Sequence, residues 1–436
     1  MLTECKTIPQ QSDRNQPNGR SIALKWSSVA IWSGVGAVIL VVLLLVAKES
    51  VTGGTDKPYS IGMTFRGEAS DSRAFTWRYG QGEAAGLLQV AASRESLKDG
   101  ESVMSFPASH EIRTGEQGKP EGVYRAEATG LTPNTRYWYR LGDGAADVWS
   151  ELASFVTGPE GGADAEVSFL HVADSQGETE ADFRLWSRTL NKAMEKYPQA
   201  SFIVHTGDLT ENPDDPAAWR YFFDTARSVL SRVPLMPVTG NHDEVDNDAL
   251  EYRSRFFLPE NGIAAKDKGP SYSFDYGPVH IVVLNTESDL NKQRDWLKKD
   301  LAASDKPWRI AAIHRGAYGG NMYGKLEDWV KVFDEYQVDL VLQGHNHEYS
   351  RSYPLRGGKI TGNGDDPVRE RAGTVYVTPN TAGPKFNEKK EDLFYHKVHF
   401  QNNKQMFGGI TVSGNVLTYR AYDVEGRLLD QFVLEH

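Results

Sequence analysis

Between Glu166 and Gln343 six short β-branched, apolar runs recur along the chain: 166–173, 201–205, 235–239, 279–285, 308–313 and 338–343, each stopping at something polar. Runs of this length and composition suit strands buried on both faces of a sheet. Four stretches with helical apolar spacing lie among them, at 181–196, 216–230, 291–302 and 325–336. Strands alternating with helices predict an α/β domain with parallel pairing, starting near residue 165 and running to 436. In its C-terminal stretch the segments 373–379 and 409–434 return to hairpin patterning, with a turn expected at Val424-Glu425-Gly426-Arg427.

The grammar before residue 165 differs. From 58 to 158 short alternating runs, such as 61–65 and 74–79, are separated by turn residues, which predicts an all-β sandwich. Within Leu131-Thr132-Pro133-Asn134-Thr135-Arg136-Tyr137, Tyr137 is placed to be the tyrosine of a sandwich corner, and the stretch resembles a fibronectin type III domain. No His or acid cluster with ligand spacing occurs there, so this domain reads as a structural module. Residues 159–164 read as a Gly-rich linker.

The N-terminal end carries a third kind of information. Residues 26–47 hold no charge, a run long enough to span the hydrocarbon core of a bilayer as a helix. More Lys and Arg precede it (Lys6, Arg14, Arg20, Lys25) than follow it closely (Lys48, Lys57), so residues 1–25 are expected to be a cytoplasmic tail and the catalytic domain extracytoplasmic. This is the pattern of a single-pass cell-membrane protein with a linker at 48–57. A cleaved signal peptide is the competing reading, but the run is long for one and Val46-Ala47-Lys48 is a poor cleavage site.

Composition removes several functions. Of 436 residues one is cysteine, Cys5, so an intramolecular disulfide and a thiolate zinc site are excluded. A formal net charge of −11 argues against a basic nucleic-acid-binding surface, and no nucleic acid partner is expected. Neither a serine elbow nor a Gly-Lys-Ser phosphate loop is present.

What remains is a set of polar clusters where strands end: Asp174-Ser175-Gln176, Gly207-Asp208, Gly240-Asn241-His242-Asp243, His314 and Gly344-His345-Asn346-His347. Beyond the carboxyl ends of strands, loops bring side chains from several strands together. Singly, each cluster is ordinary turn chemistry; five in succession suit a pair of divalent ions, with Asp208 as the candidate bridging carboxylate.

In this order the clusters resemble the motifs of calcineurin-like metallophosphoesterases, over roughly residues 166–434. The stretches from Asp295-Trp296-Leu297 to Pro307-Trp308 and from Gly344 to Pro354, with a preceding sandwich ending in Trp149-Ser150, are similar to purple acid phosphatases. The resemblance implies a four-layer αββα sandwich preceded by the fibronectin type III-like domain, and the transmembrane helix expected from the uncharged run comes before both. It also implies one metal held by Asp174, Asp208 and His347 and another by Asp208, Asn241, His314 and His345, with the catalytic His242 facing substrate. Two divalent ions (Fe, Mn or Zn) and a phosphorylated small-molecule substrate are the expected cofactors and partner. The expected reaction is phosphomonoester hydrolysis of the acid phosphatase type by a hydroxide bridging the metals.

Departures from the pattern matter too. Purple acid phosphatases carry a tyrosine three residues after the bridging aspartate, where this chain has Glu211, which puts the purple colour and a fixed ferric ion in doubt. Gln176 stands where other branches have a metal-binding histidine, as a ligand through its amide oxygen or as a hydrogen-bonding neighbour. In the loop 315–321, Tyr318 or Asn321 are candidates for substrate contact. His171, His205, His280, His110, His396, His399 and His436 are expected to be structural or solvated, with His205 hydrogen-bonding behind the site. Alternatives are a phosphodiesterase or nucleotide or pyrophosphate hydrolase on the same centre, or a cell-surface binding module with a vestigial metal site.

Overall fold

The computed structural model describes residues 57–80, 85–142, 148–162, 165–244, 248–263 and 268–436. The expected anchor at 26–47, the tail before it and most of the linker after it lie outside the described residues. No helix among the described residues is long and apolar enough to cross a membrane.

The α/β domain is built on two seven-stranded sheets. In the first, Val167–Val172, Ile203–His205 and Leu235–Pro237 run parallel, and Met406–Ser413 joins antiparallel to Val167–Val172. The C-terminal strands Val416–Asp423 and Leu428–Glu435 extend that sheet. In the second, Val279–Leu284, Trp308–Ile313, Leu340–Leu342 and Val375–Thr378 are parallel neighbours. Tyr272–Tyr276, Tyr349–Ser352 and His396–Phe400 add antiparallel pairs.

Side-chain alternation explains the layering. Ile281, Val283, Ile310 and Ala312 join the core that also holds Phe169, Phe202 and Ile410 of the first sheet. Val282, Leu284, Ala311 and Ile313 face the opposite way, onto Leu297 and Leu301 of the helix Leu290–Ala303 and Trp329 and Phe333 of Glu327–Glu335. Trp186 of the helix Glu180–Lys196 and Phe222 of Pro216–Thr225 stack at 5.3 Å and cover the first sheet. Burying each such side chain contributes roughly 1.5–3 kcal/mol. The order of layers is helix, sheet, sheet, helix, as expected.

Helix ends follow local chemistry. Thr179 and Asp182 form a capping box, Asp215 caps a helix beginning at Pro216, and Asp289 accepts from the Lys292 amide. The helix expected over 216–230 is broken into Pro216–Thr225 and Arg227–Leu230. The Thr225 hydroxyl donates back to the Tyr221 carbonyl at 2.7 Å, a bond that bends helices at this point.

The N-terminal domain is a sandwich of two four-stranded antiparallel sheets. The Tyr137 hydroxyl accepts from the Thr132 amide at 3.0 Å, so the expected corner is present. This sandwich is fused to the α/β domain rather than tethered. Phe65 packs against Phe202, Phe274 and Tyr276 in the main core, Thr76 donates to the Arg255 carbonyl at 2.6 Å, and Tyr139 donates to the Ser231 carbonyl at 2.9 Å.

Candidate metal centre

The parallel strands of both sheets point their carboxyl ends at one region, and the loops that leave them carry all seven expected site residues. From the first sheet come Asp174, Asp208, Asn241 and His242; from the second come His314, His345 and His347. Asp174, Asp208, His345 and His347 all adopt left-handed backbone, with φ of 54°, 56°, 73° and 50°. Such a conformation costs a non-glycine residue of order 1–3 kcal/mol and gathers at functional sites. Here it swings each side chain back over the strand end. The glycines make the approach possible: Gly207 has φ +93°, and a Cβ on Gly240 would come within 2.3 Å of Asp208 Oδ1.

Two groups of donors result. Asp208, His314 and His345 each place a ligand atom within 4.8 Å of the others, as do Asp174, Asp208 and His347. Asp208 belongs to both. His314 Nδ1 donates to the Thr206 carbonyl at 2.8 Å, which in the neutral ring leaves Nε2 unprotonated. That Nε2 faces Asp208 Oδ2 at 3.2 Å, Asn241 Oδ1 at 3.1 Å and His345 Nδ1 at 3.2 Å. The Asp208 and Asn241 oxygens facing this nitrogen lone pair suit a metal ion between them. Without one, the proton serves: burial disfavours the imidazolium, but the Asp208 carboxylate outweighs it and lifts His314 to about 10. Asp208 is correspondingly held well below the usual carboxylate range despite its burial, by His314 and by hydrogen bonding from the His242 amide. Burial, His314 and Arg315 push His345 down to about 3. The donor set of carboxylates, imidazoles and an amide, with acceptors facing acceptors, fits a pair of divalent cations.

Supporting contacts were only partly foreseen. Asp243 accepts from the backbone amides of Asp208, Leu209 and Gly240 at 2.8, 3.0 and 2.8 Å, pinning two ligand loops together. Burial and the Asp208 charge push its carboxyl up to about 8. The expected neighbour His205 reaches the Ser175 hydroxyl at 2.9 Å, behind Asp174. Thr381 donates to the Asp174 carbonyl at 2.5 Å. Gln176 Nε2 donates to Glu211 Oε2 at 3.1 Å, while its Oε1 is buried without a hydrogen-bond partner beside the donors.

A cavity of roughly 350 Å³ opens over the centre, lined by Gln176, Asp208, Asn241, His242, His345, His347, Lys385, Phe386 and Asn387. His242 Nδ1 donates to the Glu211 carbonyl at 3.1 Å, which fixes its tautomer and leaves Nε2 for the cavity. Glu211 forms an ion pair with Lys385, from a loop 174 residues further along the chain. Arg315, held by Glu287 at 2.7 Å, donates to His345 Nε2 at 3.0 Å. Tyr318 and Asn321 do not line the cavity. Tyr318 is an apolar-core ring against Tyr376 and Tyr395, and Asn321 Oδ1 accepts from Asn346. Sequence spacing singled out neither Lys385 nor Arg315, since nothing about either residue marks it without the loop geometry.

Most of the discounted histidines are structural. His171 bonds Tyr419 and Thr206, His280 bridges Asp275 and Asp300, and His436 stacks on Trp308 while bonding Asp339.

Comparison with known proteins gives the same assignment for both domains. Residues 167–349 match the calcineurin-like phosphoesterase family, and residues 58–157 match the purple acid phosphatase N-terminal domain. Purple acid phosphatase 23 of Arabidopsis thaliana is 30% identical over 338 residues, spanning 67% of this chain and 69% of the relative. Acid phosphatase type 7 of Mus musculus is 27% identical over 296 residues, 60% of this chain and 64% of the relative. The chain spans about half the length of other curated relatives. Among solved structures, the purple acid phosphatase PPD1 from yellow lupin (Lupinus luteus) seeds superposes with a TM-score of 0.76 at 19% identity, over 88% of this chain and 75% of that one, which shows a shared fold.

Proposed function

Since the chain belongs to the purple acid phosphatase family and is thereby a phosphoester hydrolase, we propose that it hydrolyses phosphate monoesters of small molecules at a dinuclear centre bridged by Asp208. The observation that carries this reading is the membership of Asp208 in both donor groups. Asp174 and His347 complete one shell; Asn241, His314 and His345 complete the other. Divalent cations bound by these residues would supply Lewis acidity, activating a water as the nucleophile and neutralising phosphoryl charge.

The remaining steps fall to the protein's own side chains. His242, oriented through Nδ1 by the Glu211 carbonyl, holds Nε2 over the cavity, where its imidazolium form stabilises the developing charge and gives the Nε2 proton to the departing oxygen. Lys385 at the rim orients the free oxygens of the anionic substrate, and the positive charge of Arg315, behind His345, adds to the attraction. Glu211, placed where purple acid phosphatases have their tyrosine, is engaged by Gln176 and Lys385 and lies in neither donor group, which supports a pair of divalent ions.

An aryl monoester and the matching diester, assayed in parallel with the metal-loaded protein, test the substrate class. Higher kcat/KM on the monoester is expected; preference for the diester would transfer the site to phosphodiester chemistry. We also propose, from the uncharged run at 26–47 alone, a single-pass membrane anchor with the catalytic domain extracytoplasmic. Protection of the C-terminal domain from protease added outside intact cells would refute that orientation.

A further inference from the structure

We propose that Gln176 is a further metal ligand: its Oε1 binds the cation that Asp174, Asp208 and His347 hold, and biases that position towards a hard ion such as Mn²⁺. The inference rests on the dinuclear reading above and adds to it a residue on which the two positions differ.

The two donor groups are unequal. Asp208, Asn241, His314 and His345 serve one position, whereas Asp174, Asp208 and His347 serve the other with one side chain fewer. Gln176 stands two residues after Asp174, which belongs to the smaller group alone. It lines the cavity together with Asp208 and His347.

The backbone fixes where this side chain starts. The Asp174 amide donates to the Gly207 carbonyl at 3.0 Å, the Gln176 amide to the Asp208 carbonyl at 3.1 Å, and the Glu211 amide to the Gly177 carbonyl at 3.3 Å. The Ser175 hydroxyl donates to the Leu209 carbonyl at 2.9 Å. Together these bonds tie the turn at 174–177 to residues 207–211, so Gln176 leaves the chain beside the shared carboxylate.

Its neighbour then turns the amide. Glu211 is ion-paired with Lys385, and a carboxylate only accepts, so Gln176 must present Nε2 to it, at 3.1 Å. Oε1 lies on the other edge of the amide plane, buried without a hydrogen-bond partner in a residue that is 2% exposed. A buried amide oxygen left unpaired is destabilising, and a cation beside it removes the penalty. With Oε1 included, this position has two carboxylates and an amide oxygen against one imidazole, while the other has two imidazoles. Oxygen donors suit Mn²⁺, and imidazoles suit Zn²⁺.

The test reads metal rather than turnover. Full-length chain is titrated with Mn²⁺ and with Zn²⁺ by calorimetry, unaltered and as Gln176→Leu, Gln176→His and Glu211→Ala. The unaltered chain should take two equivalents of Mn²⁺. Gln176→Leu should weaken one of them about 100-fold and Glu211→Ala, which removes only the group that turns the amide, about 10-fold. The other equivalent should bind as before in both, which also shows that the variants are folded. Gln176→His should shift the affected equivalent from Mn²⁺ towards Zn²⁺. Equal Mn²⁺ affinities in the unaltered and Gln176→Leu chains, an effect no larger than that of Glu211→Ala, or an unchanged ion preference in Gln176→His overturns the inference and leaves the dinuclear centre standing. Fewer than two equivalents in the unaltered chain overturns the centre itself, and the inference with it.

Discussion

Two regions of this molecule bury charge, and they do so in opposite ways. At the seam between the sandwich and the α/β domain, Arg78 lies 3.6 Å from Glu121, and Glu251 takes Arg255 at 3.2 Å and Arg113 at 2.6 Å. Burial and the neighbouring Arg255 lower Arg78 to about 9, still charged at neutral pH. Every acid there meets a fixed guanidinium, so the network is closed and holds two domains in one register. At the loop ends Asp174 and Asp208 meet imidazoles and an amide, ligands that are neutral when unprotonated. The protein supplies anions and lone pairs but leaves the cations to solution. A closed network builds structure; an open one recruits ions.

The contrast can be broken most severely at Asp208. Asp208→Asn removes the charge common to both donor groups, leaving cations to repel at short range. Metal analysis should find neither ion retained, with turnover at background; full activity would dissolve the distinction between the two regions. Next, His242→Ala should lower kcat by about 10²–10⁴-fold, the usual range for a positioned acid or base, with metal content unchanged. Loss of metal in that variant would make His242 a ligand.

The seam should answer differently. Arg78→Met leaves Glu121 buried without its guanidinium, with only the Tyr59 hydroxyl to hold its charge, and should cost about 3–5 kcal/mol in urea denaturation, while metal per folded chain stays as in the unaltered protein. Asp243→Asn should weaken metal binding about 10–100-fold, because it loosens the loops without removing a ligand. The smallest effect concerns His280. Burial disfavours its charge, but Asp275 and Asp300 raise it to about 9 from the usual 6.5. This contribution to stability is complete below pH 6.5 and fades as pH rises through 9. Denaturation midpoints across that window should slope less in His280→Gln.

Much of this was legible in the residues themselves. Strands that end in Gly-Asp or Asn-His announce where loops converge, so the convergence of these seven residues and the layer order could be read from spacing and resemblance. Lys385 could not, because its partner Glu211 is 174 residues away and only the fold joins them. Asp243 was visible as part of its motif, but its role in receiving three amides depends on left-handed backbone at Asp208. The sandwich looked like a separate module because its strands alternate on their own account; that Phe65 completes the other domain's core is a tertiary fact. The strand His396–Phe400 escaped because its residues are all half-buried and a bulge breaks their alternation.

The shared carboxylate itself can be observed by electron paramagnetic resonance on the full-length chain loaded with two equivalents of Mn²⁺. Ions bridged through Asp208 should give the broadened spectrum of an exchange-coupled pair. Two independent six-line signals would mean that the ions occupy unconnected sites and would contradict the account.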